Sequence, residues 1–370
     1  MTRARAASLA ALAACALGCS RPREPILDCA PSSEARPICG FHNPEDLALL
    51  EHSRALIVSQ LGSIDGSKPG GLVLFDLASE SITPVFPGSD AHAPPPRAGW
   101  GDPSCPGPPG PAFDPHGLDL ATRPDGKREL LVVNHGGREA IELFEVEEDL
   151  PGGPAFTWRG CAVAPQDAML NDVAALPDGG FVTTNSLSRS HPILSSLRGL
   201  LRLSTGNVLE WQPNGGFRAL AGTDAPLPNG IAVSRDGETL FVDEYLGDEV
   251  RKISRRSGAL LGTADISSPD NLNWSPDGRL LLVASHDAPL NEITACADVS
   301  RGQCPFHFSI IALDPERMKG MAIYENAGPP MGAGTSALQI GSELWIGSFA
   351  GDRLLRVTLA PWVLKSIAGP

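Results

Sequence analysis

The stretch PNGIAVSRDGETLFVDE, residues 228–244, decides the fold. A short apolar run after Asn229 leads into Asp236-Gly237, and a β-rich run begins at Thr239. Asp-Gly between two such runs signals a hairpin, because glycine accepts the positive φ of a tight turn. The unit recurs. It starts at Pro44-Glu45-Asp46-Leu47, Pro115-His116-Gly117-Leu118, Leu170-Asn171-Asp172-Val173, Pro228-Asn229-Gly230-Ile231, Pro269-Asp270-Asn271-Leu272 and Gly334-Thr335-Ser336-Ala337. A second run follows each start: ALIVSQ from Ala55, LLVVNH from Leu130, GFVTTN from Gly180, TLFVDEY from Thr239, LLLVASH from Leu280 and ELWIGSF from Glu343. A third run completes each unit: GLVLFDL, AIELFEV, GLLRLS, EVRKIS, SIIALD and RLLRVTL. Asp125-Gly126, Asp178-Gly179 and Asp277-Gly278 mark further hairpins.

Six units of three or four antiparallel strands predict an all-β, six-bladed β-propeller over residues 41–370. No 3.6-residue period is sustained beyond the N-terminus, which sets helical folds aside; two β-sandwiches are the alternative architecture. The starts lie 71, 55, 58, 41 and 65 residues apart, mostly longer than a blade of about 40–45 residues. Several blades therefore carry insertions. The longest, Ala91–Pro111, holds eight prolines from Pro94 onward, and a second, Asp287–Pro305, holds Cys296 and Cys304. Each is placed to cover the axis as a lid or to decorate the rim.

With 370 residues, 42 % of them apolar and 19 % charged, the chain can build a sizeable core. A net charge of −14 excludes a nucleic-acid surface, since phosphate contacts need clustered Lys and Arg. At the N-terminus, Arg3 and Arg5 precede an apolar stretch, Ala6–Leu17, that ends Gly18-Cys19-Ser20. This resembles a bacterial lipoprotein signal: residues 1–18 would be removed and Cys19 lipidated. The expected location is the outer membrane, with membrane contact only through the lipid. Residues 19–40 read as a Pro-rich tether. Export places Cys29, Cys39, Cys105, Cys161, Cys296 and Cys304 where disulfides form. Six cysteines allow 15 pairings; proximity favours Cys29–Cys39 and Cys296–Cys304, leaving Cys105 for Cys161.

The innermost strand of each blade lines the central channel, so equivalent positions converge on the axis. The six starts contribute Glu45-Asp46, His116, Asn171-Asp172, Asn229, Asp270-Asn271 and Thr335-Ser336. One Asn or Asp can serve a local turn, but six polar positions at one phase beside a core need a common partner. Carboxylates and amides without cysteine suit a hard, oxygen-preferring cation. Glu45, Asn171, Asn229, Asp270 and Asn271, with one or two waters, reach the roughly 6–8 oxygens that calcium takes.

The chain is similar to the paraoxonase family of calcium-dependent lactonases and arylesterases, which are six-bladed propellers. It is more distantly similar to gluconolactonase and strictosidine-synthase-like propellers. The resemblance runs from about Cys39 to Leu359. It is strongest in FDPHGLDL, ELLVVNH, IELFEVEED, LNDVAALP, PNGIAVSRDGETLFVDE and PDNLNWSPDG. It implies a catalytic calcium on Glu45, Asn171, Asn229, Asp270 and Asn271. It also implies a second, structural calcium held by Asp46, Asp172 and the carbonyl of Leu118, and a dyad of His116 with His135. The family's disulfide between the N-terminal and last strands is not expected, because Val357 stands where its second Cys would be.

The expected chemistry is hydrolysis of a small lactone or aryl ester. Calcium would polarise the carbonyl while His116, backed by His135, takes a proton from water. His286 ends an inner run and could face the channel; no GxSxG elbow supports a serine hydrolase. The alternative function is a non-catalytic, calcium-stabilised propeller, lipid-anchored and presenting its rim to a protein partner. A monomer is expected in either case.

Overall fold

The computed structural model describes residues 24–63, 68–87, 96–296, 299, 301–326 and 328–367. The expected lipoprotein signal, residues 1–18, and Cys19 lie outside the described residues. Among those described, no helix is long and apolar enough to cross a membrane.

The described residues form six four-stranded antiparallel sheets. Blade one is Pro44–Leu50, Ala55–Gln60, Gly71–Asp76 and Ile82–Phe86; blade two is Pro115–Thr122, Arg128–Asn134, Ala140–Glu147 and Ala155–Val163. Blade three is Ala168–Ala175, Phe181–Ser188, Asn207–Gln212 and Gly216–Ala219. Blade four is Pro228–Val233, Thr239–Glu244, Glu249–Ser254 and Leu260–Asp265. Blade five is Pro269–Trp274, Leu281–His286, Phe308–Asp314 and Lys319–Asn326. In blade six, Gly334–Ile340, Glu343–Ser348 and Arg353–Thr358 are joined by Ala35–Cys39 from the start of the chain. The first strand of each blade touches that of the next, closing a ring around the axis.

The second strands are largely apolar because both of their faces are covered, blade three with Thr183 and Thr184 being the most polar. In blade four, Leu240 and Val242 pack toward blade three while Phe241 packs toward blade five. One apolar cluster fills each of the six gaps between blades. Each fully buried Leu or Phe in these gaps contributes about 1.5–3 kcal/mol. The four Asp-Gly turns join first and second strands as expected, with φ of +82° at Gly126, +91° at Gly179, +75° at Gly237 and +69° at Gly278.

Two expectations change. The third strand of blade three is Asn207–Gln212, not the run GLLRLS: residues 192–200 are a helix, α1, with Pro192 in its first turn, and Leu201 and Leu203 beyond it are exposed. Proline pre-sets φ for a helix start, and the leucines are spaced for a helix rather than a blade strand. The propeller also begins before residue 41, since Ala35–Cys39 pairs with Arg353–Thr358 in register from Ala35↔Val357 to Cys39↔Arg353. Of the two placements left open for the Pro-rich insertion, its described part takes the rim. Its backbone bonds the outer strand of blade two through Arg97 N–H to Arg159 O and Asp102 N–H to Cys161 O. Asp102 also accepts the Trp211 indole N–H at 2.8 Å.

The disulfides are Cys29–Cys39, Cys105–Cys161 and Cys296–Cys304. Such bonds belong to a chain that folds in an oxidising compartment. Ring closure rests on the added strand and on Arg353, which is fully buried. Its guanidinium donates to Asp28 O at 2.6 Å, Pro330 O at 3.0 Å and Ile26 O at 3.1 Å, and pairs with Asp352 at 2.7 Å. Arg353→Ala would leave the carbonyls of Asp28 and Pro330 without their donor, while Ile26 O would keep the Gln303 N–H at 3.0 Å. It is expected to cost about 3 kcal/mol or more of stability in urea unfolding. A cost below about 0.5 kcal/mol, the range of surface changes, would show that closure does not depend on this residue.

Candidate active site

In every blade the pairing of first and second strands breaks at the same place. The breaks fall between Pro44 and Asp46, Pro115 and Leu118, Leu170 and Val173, Pro228 and Ile231, Pro269 and Leu272, and Gly334 and Ala337. A bulge of this kind takes residues out of the ladder and re-aims their side chains. The residues so released are Glu45, His116-Gly117, Asn171-Asp172, Asn229-Gly230, Asp270-Asn271 and Thr335-Ser336. These are the polar positions that share one phase in the sequence.

Blade six commits its two hydroxyls to the first blade. Thr335 and Ser336 donate their hydroxyls to Glu45 O at 2.7 and 2.9 Å, locking the last blade to the first. The other blades behave differently. Asn271 donates its amide N–H to Glu45 Oε1 at 2.6 Å, and Asn229 donates its own to Asp270. That spends both nitrogens and leaves the oxygens free. Glu45 Oε2 and the Oδ1 atoms of Asn171, Asn229 and Asn271 are buried with no hydrogen-bond partner. Leaving a buried acceptor unpaired costs about 1–3 kcal/mol. Four such oxygens in one set fit a cation, and their chemistry fits calcium. Among the described residues, His, Cys, Asp and Glu alone gather no group of three suited to a metal, so the Asn oxygens are essential to this set.

Burial, followed by Asp46 and then Asp270, pushes the Glu45 acid well above its ordinary range. Burial likewise raises Asp46 to about 7 and Asp270 to about 8. The two carboxylates implied for a second cation lash neighbouring blades together. Asp46 accepts the N–H of Leu47 at 2.8 Å and of Leu118, in blade two, at 2.9 Å. Asp172 accepts the N–H of Val173 at 2.7 Å and of Ile231, in blade four, at 2.8 Å. Leu118 thus meets Asp46 through its N–H. Gly117 makes room for this approach: a Cβ there would sit 2.4 Å from Asp172 Oδ1. Asp46, Leu118, Asp172 and Asn271 line one end of a 240 Å³ channel cavity.

The two histidines meet. His116 Nδ1 lies 2.9 Å from His135 Nε2, and His135 Nδ1 lies 3.0 Å from Glu139 Oε1. Glu139, 5 % exposed, also accepts the Leu170 N–H at 2.7 Å. A carboxylate only accepts, so His135 carries its proton on Nδ1 and its Nε2 accepts from His116 Nδ1–H. That leaves His116 Nε2 as a free lone pair, 3.7 Å from Glu45 Oε1. Burial, then His135, pushes His116 down to about 3, so the ring is neutral. Glu139 escaped the sequence reading. Its signal was only an acid four residues after a histidine, in a loop.

His286 is buried beside Asp270, its Nε2 3.3 Å from Asp270 Oδ2 and 2.9 Å from Gly334 O. The Tyr245 hydroxyl lies 2.8 Å from its Nδ1. Burial pushes this ring down to about 4. Phe306 stands edge-on to it at 4.7 Å between centroids, and Phe306 belongs to the small core that packs Cys296 and Cys304. The Cys296–Cys304 loop therefore supports an aromatic wall next to the channel.

A family model described as Arylesterase matches residues 41–355. Serum paraoxonase/arylesterase 1 of Mus musculus is 26 % identical over 239 residues, which is 62 % of this chain and 61 % of that protein. Serum paraoxonase/arylesterase 2 of Canis lupus familiaris is 27 % identical over 238 residues, 61 % of this chain and 60 % of that one. The chain thus spans about three-fifths of the length of these relatives. The match to serum paraoxonase/arylesterase 1 of Rattus norvegicus runs further, 26 % over 325 residues and 82 % of both chains. Among solved structures, a gluconolactonase from Xanthomonas campestris superposes with a TM-score of 0.51 at 18 % identity, over 92 % of this chain and 99 % of that one. At that identity the likeness is one of fold.

Proposed function

The chain belongs to the arylesterase family, and on that premise we propose that it is a calcium-dependent hydrolase of small lactones or aryl esters. The observation that carries this is the line Glu139–His135–His116, which ends on an unshared imidazole nitrogen beside a set of unpaired buried oxygens. Glu45, Asn171, Asn229, Asp270 and Asn271 would hold the catalytic calcium, and Asp46, Asp172 and the Leu118 carbonyl a structural one. Bound calcium supplies Lewis-acid polarisation of the ester carbonyl.

The chain's own residues supply the proton chemistry. His116 Nε2 accepts the proton of the attacking water, and the ring becomes cationic. His135 stabilises that cation by accepting from His116 Nδ1–H, and Glu139 holds His135 in the tautomer that permits it. Export as a lipoprotein through Cys19, action as a monomer and a small-molecule partner complete the proposal.

The test is turnover by the purified chain on γ- and δ-lactones and phenyl acetate, with added calcium and again with excess EDTA. Hydrolysis lost in chelator and restored by calcium is expected. Failure on every substrate, alongside calcium-dependent melting, would favour the non-catalytic, calcium-stabilised propeller.

A further inference from the structure

The second strand of each blade presents one residue beside the bulge of the first. By register these are Ser59, Val133, Thr184, Asp243, Ala284 and Gly347 in blades one to six. In blades one and three the residue is a hydroxyl. Ser59 Oγ accepts the N–H of Asp46 at 3.0 Å, and Thr184 Oγ1 accepts that of Asp172 at 3.0 Å. Blade four inverts the arrangement: Gly230 takes the place of the inner-strand acid, and the second strand carries a carboxylate, Asp243.

The Asp243 side chain fills the room that Gly230 leaves. A Cβ on Gly230 would lie 2.9 Å from Asp243 Oδ2 and 2.5 Å from Asp270 O. Asp243 is 0 % exposed, and neither of its oxygens has a hydrogen-bond partner. A buried carboxylate with no donor to either oxygen is costly, and a bound cation would offset that cost. Burial, then the Asp270 and Asp172 carboxylates, pushes this acid up.

We propose that Asp243 is a direct ligand of a divalent cation in the channel, supplying from the second strand of blade four the carboxylate that Gly230 cannot. The cation is a hard, oxygen-preferring one such as calcium. The inference rests on the calcium reading above and adds to it a ligand that lies outside the inner strands.

Calcium titration of the chelator-stripped full chain by calorimetry tests it, comparing the wild type with Asp243→Asn and Asp243→Ser. Asn preserves the shape, and Ser reproduces the hydroxyl that blades one and three use, so the fold has two independent ways to tolerate the loss. Calcium affinity at one site is expected to fall tenfold or more in both variants. The calcium-induced rise in melting temperature should shrink with it. Wild-type binding with unchanged affinity and stoichiometry in a folded variant would overturn the role of Asp243 alone. No calcium uptake by the wild type would overturn the calcium reading and this inference together.

Discussion

Replacing His116 with Gln is expected to lower kcat by about 10²–10⁴-fold on whichever lactone or ester the chain hydrolyses, with calcium affinity kept close to wild type. Gln can still donate a hydrogen bond toward His135 Nε2 and fill most of the space, but it cannot take a proton from water. The large effect follows because only the His116 Nε2 lone pair faces the oxygen set, while its Nδ1–H is committed to His135 at 2.9 Å. Measuring kcat at saturating calcium beside a calcium titration separates loss of the base from loss of the site. A kcat within twofold of wild type would sink the assignment of His116 as base.

The second large effect is on stability. In excess EDTA the melting temperature is expected to fall steadily as pH rises from about 5 to 8, and saturating calcium should flatten the curve. Asp46 and Asp270 have folded pKa values raised by burial to about 7 and about 8, against roughly 4 in the unfolded chain. A raised acid favours folding only while it stays protonated. Its stabilising contribution is complete below the unfolded value and is lost as pH climbs through the folded one. Between those limits the native state binds more protons than the unfolded state, so stability declines with pH by on the order of 1 kcal/mol per unit for each group. Calcium removes the dependence by holding the carboxylates ionised in the native state, and it adds about 2.7 kcal/mol at a hundredfold excess over its Kd. Equal melting temperatures at pH 6 and 8 in chelator would contradict the buried-acid arrangement.

Much of this was legible in the residues. Asp-Gly turns and largely apolar second runs are short-range signals, and they located all six blades. The shared phase of Glu45, Asn171, Asn229, Asp270 and Asn271 is a repeat property, visible without knowing any contact. The third run of unit three was misread because GLLRLS is as apolar as a strand, and what makes its neighbourhood helical is Pro192 and the spacing of leucines that end up exposed. Glu139 was missed because its partner His135 meets it only when the loop between them folds back.

The sequence by itself determined the repeat, its phase and hence the set of polar groups delivered to one end of the channel, because local turns and alternation impose those features strand by strand. Only the tertiary structure decided which of those groups are spent and which are free. Pairing register turned the phase into six bulges, and closure of the ring brought Thr335 and Ser336 onto Glu45 O across nearly the whole chain. The opposition of Gly230 and Asp243 placed a further carboxylate where no inner strand carries one. These are contacts between distant segments, set by packing around the axis, and no local preference encodes them.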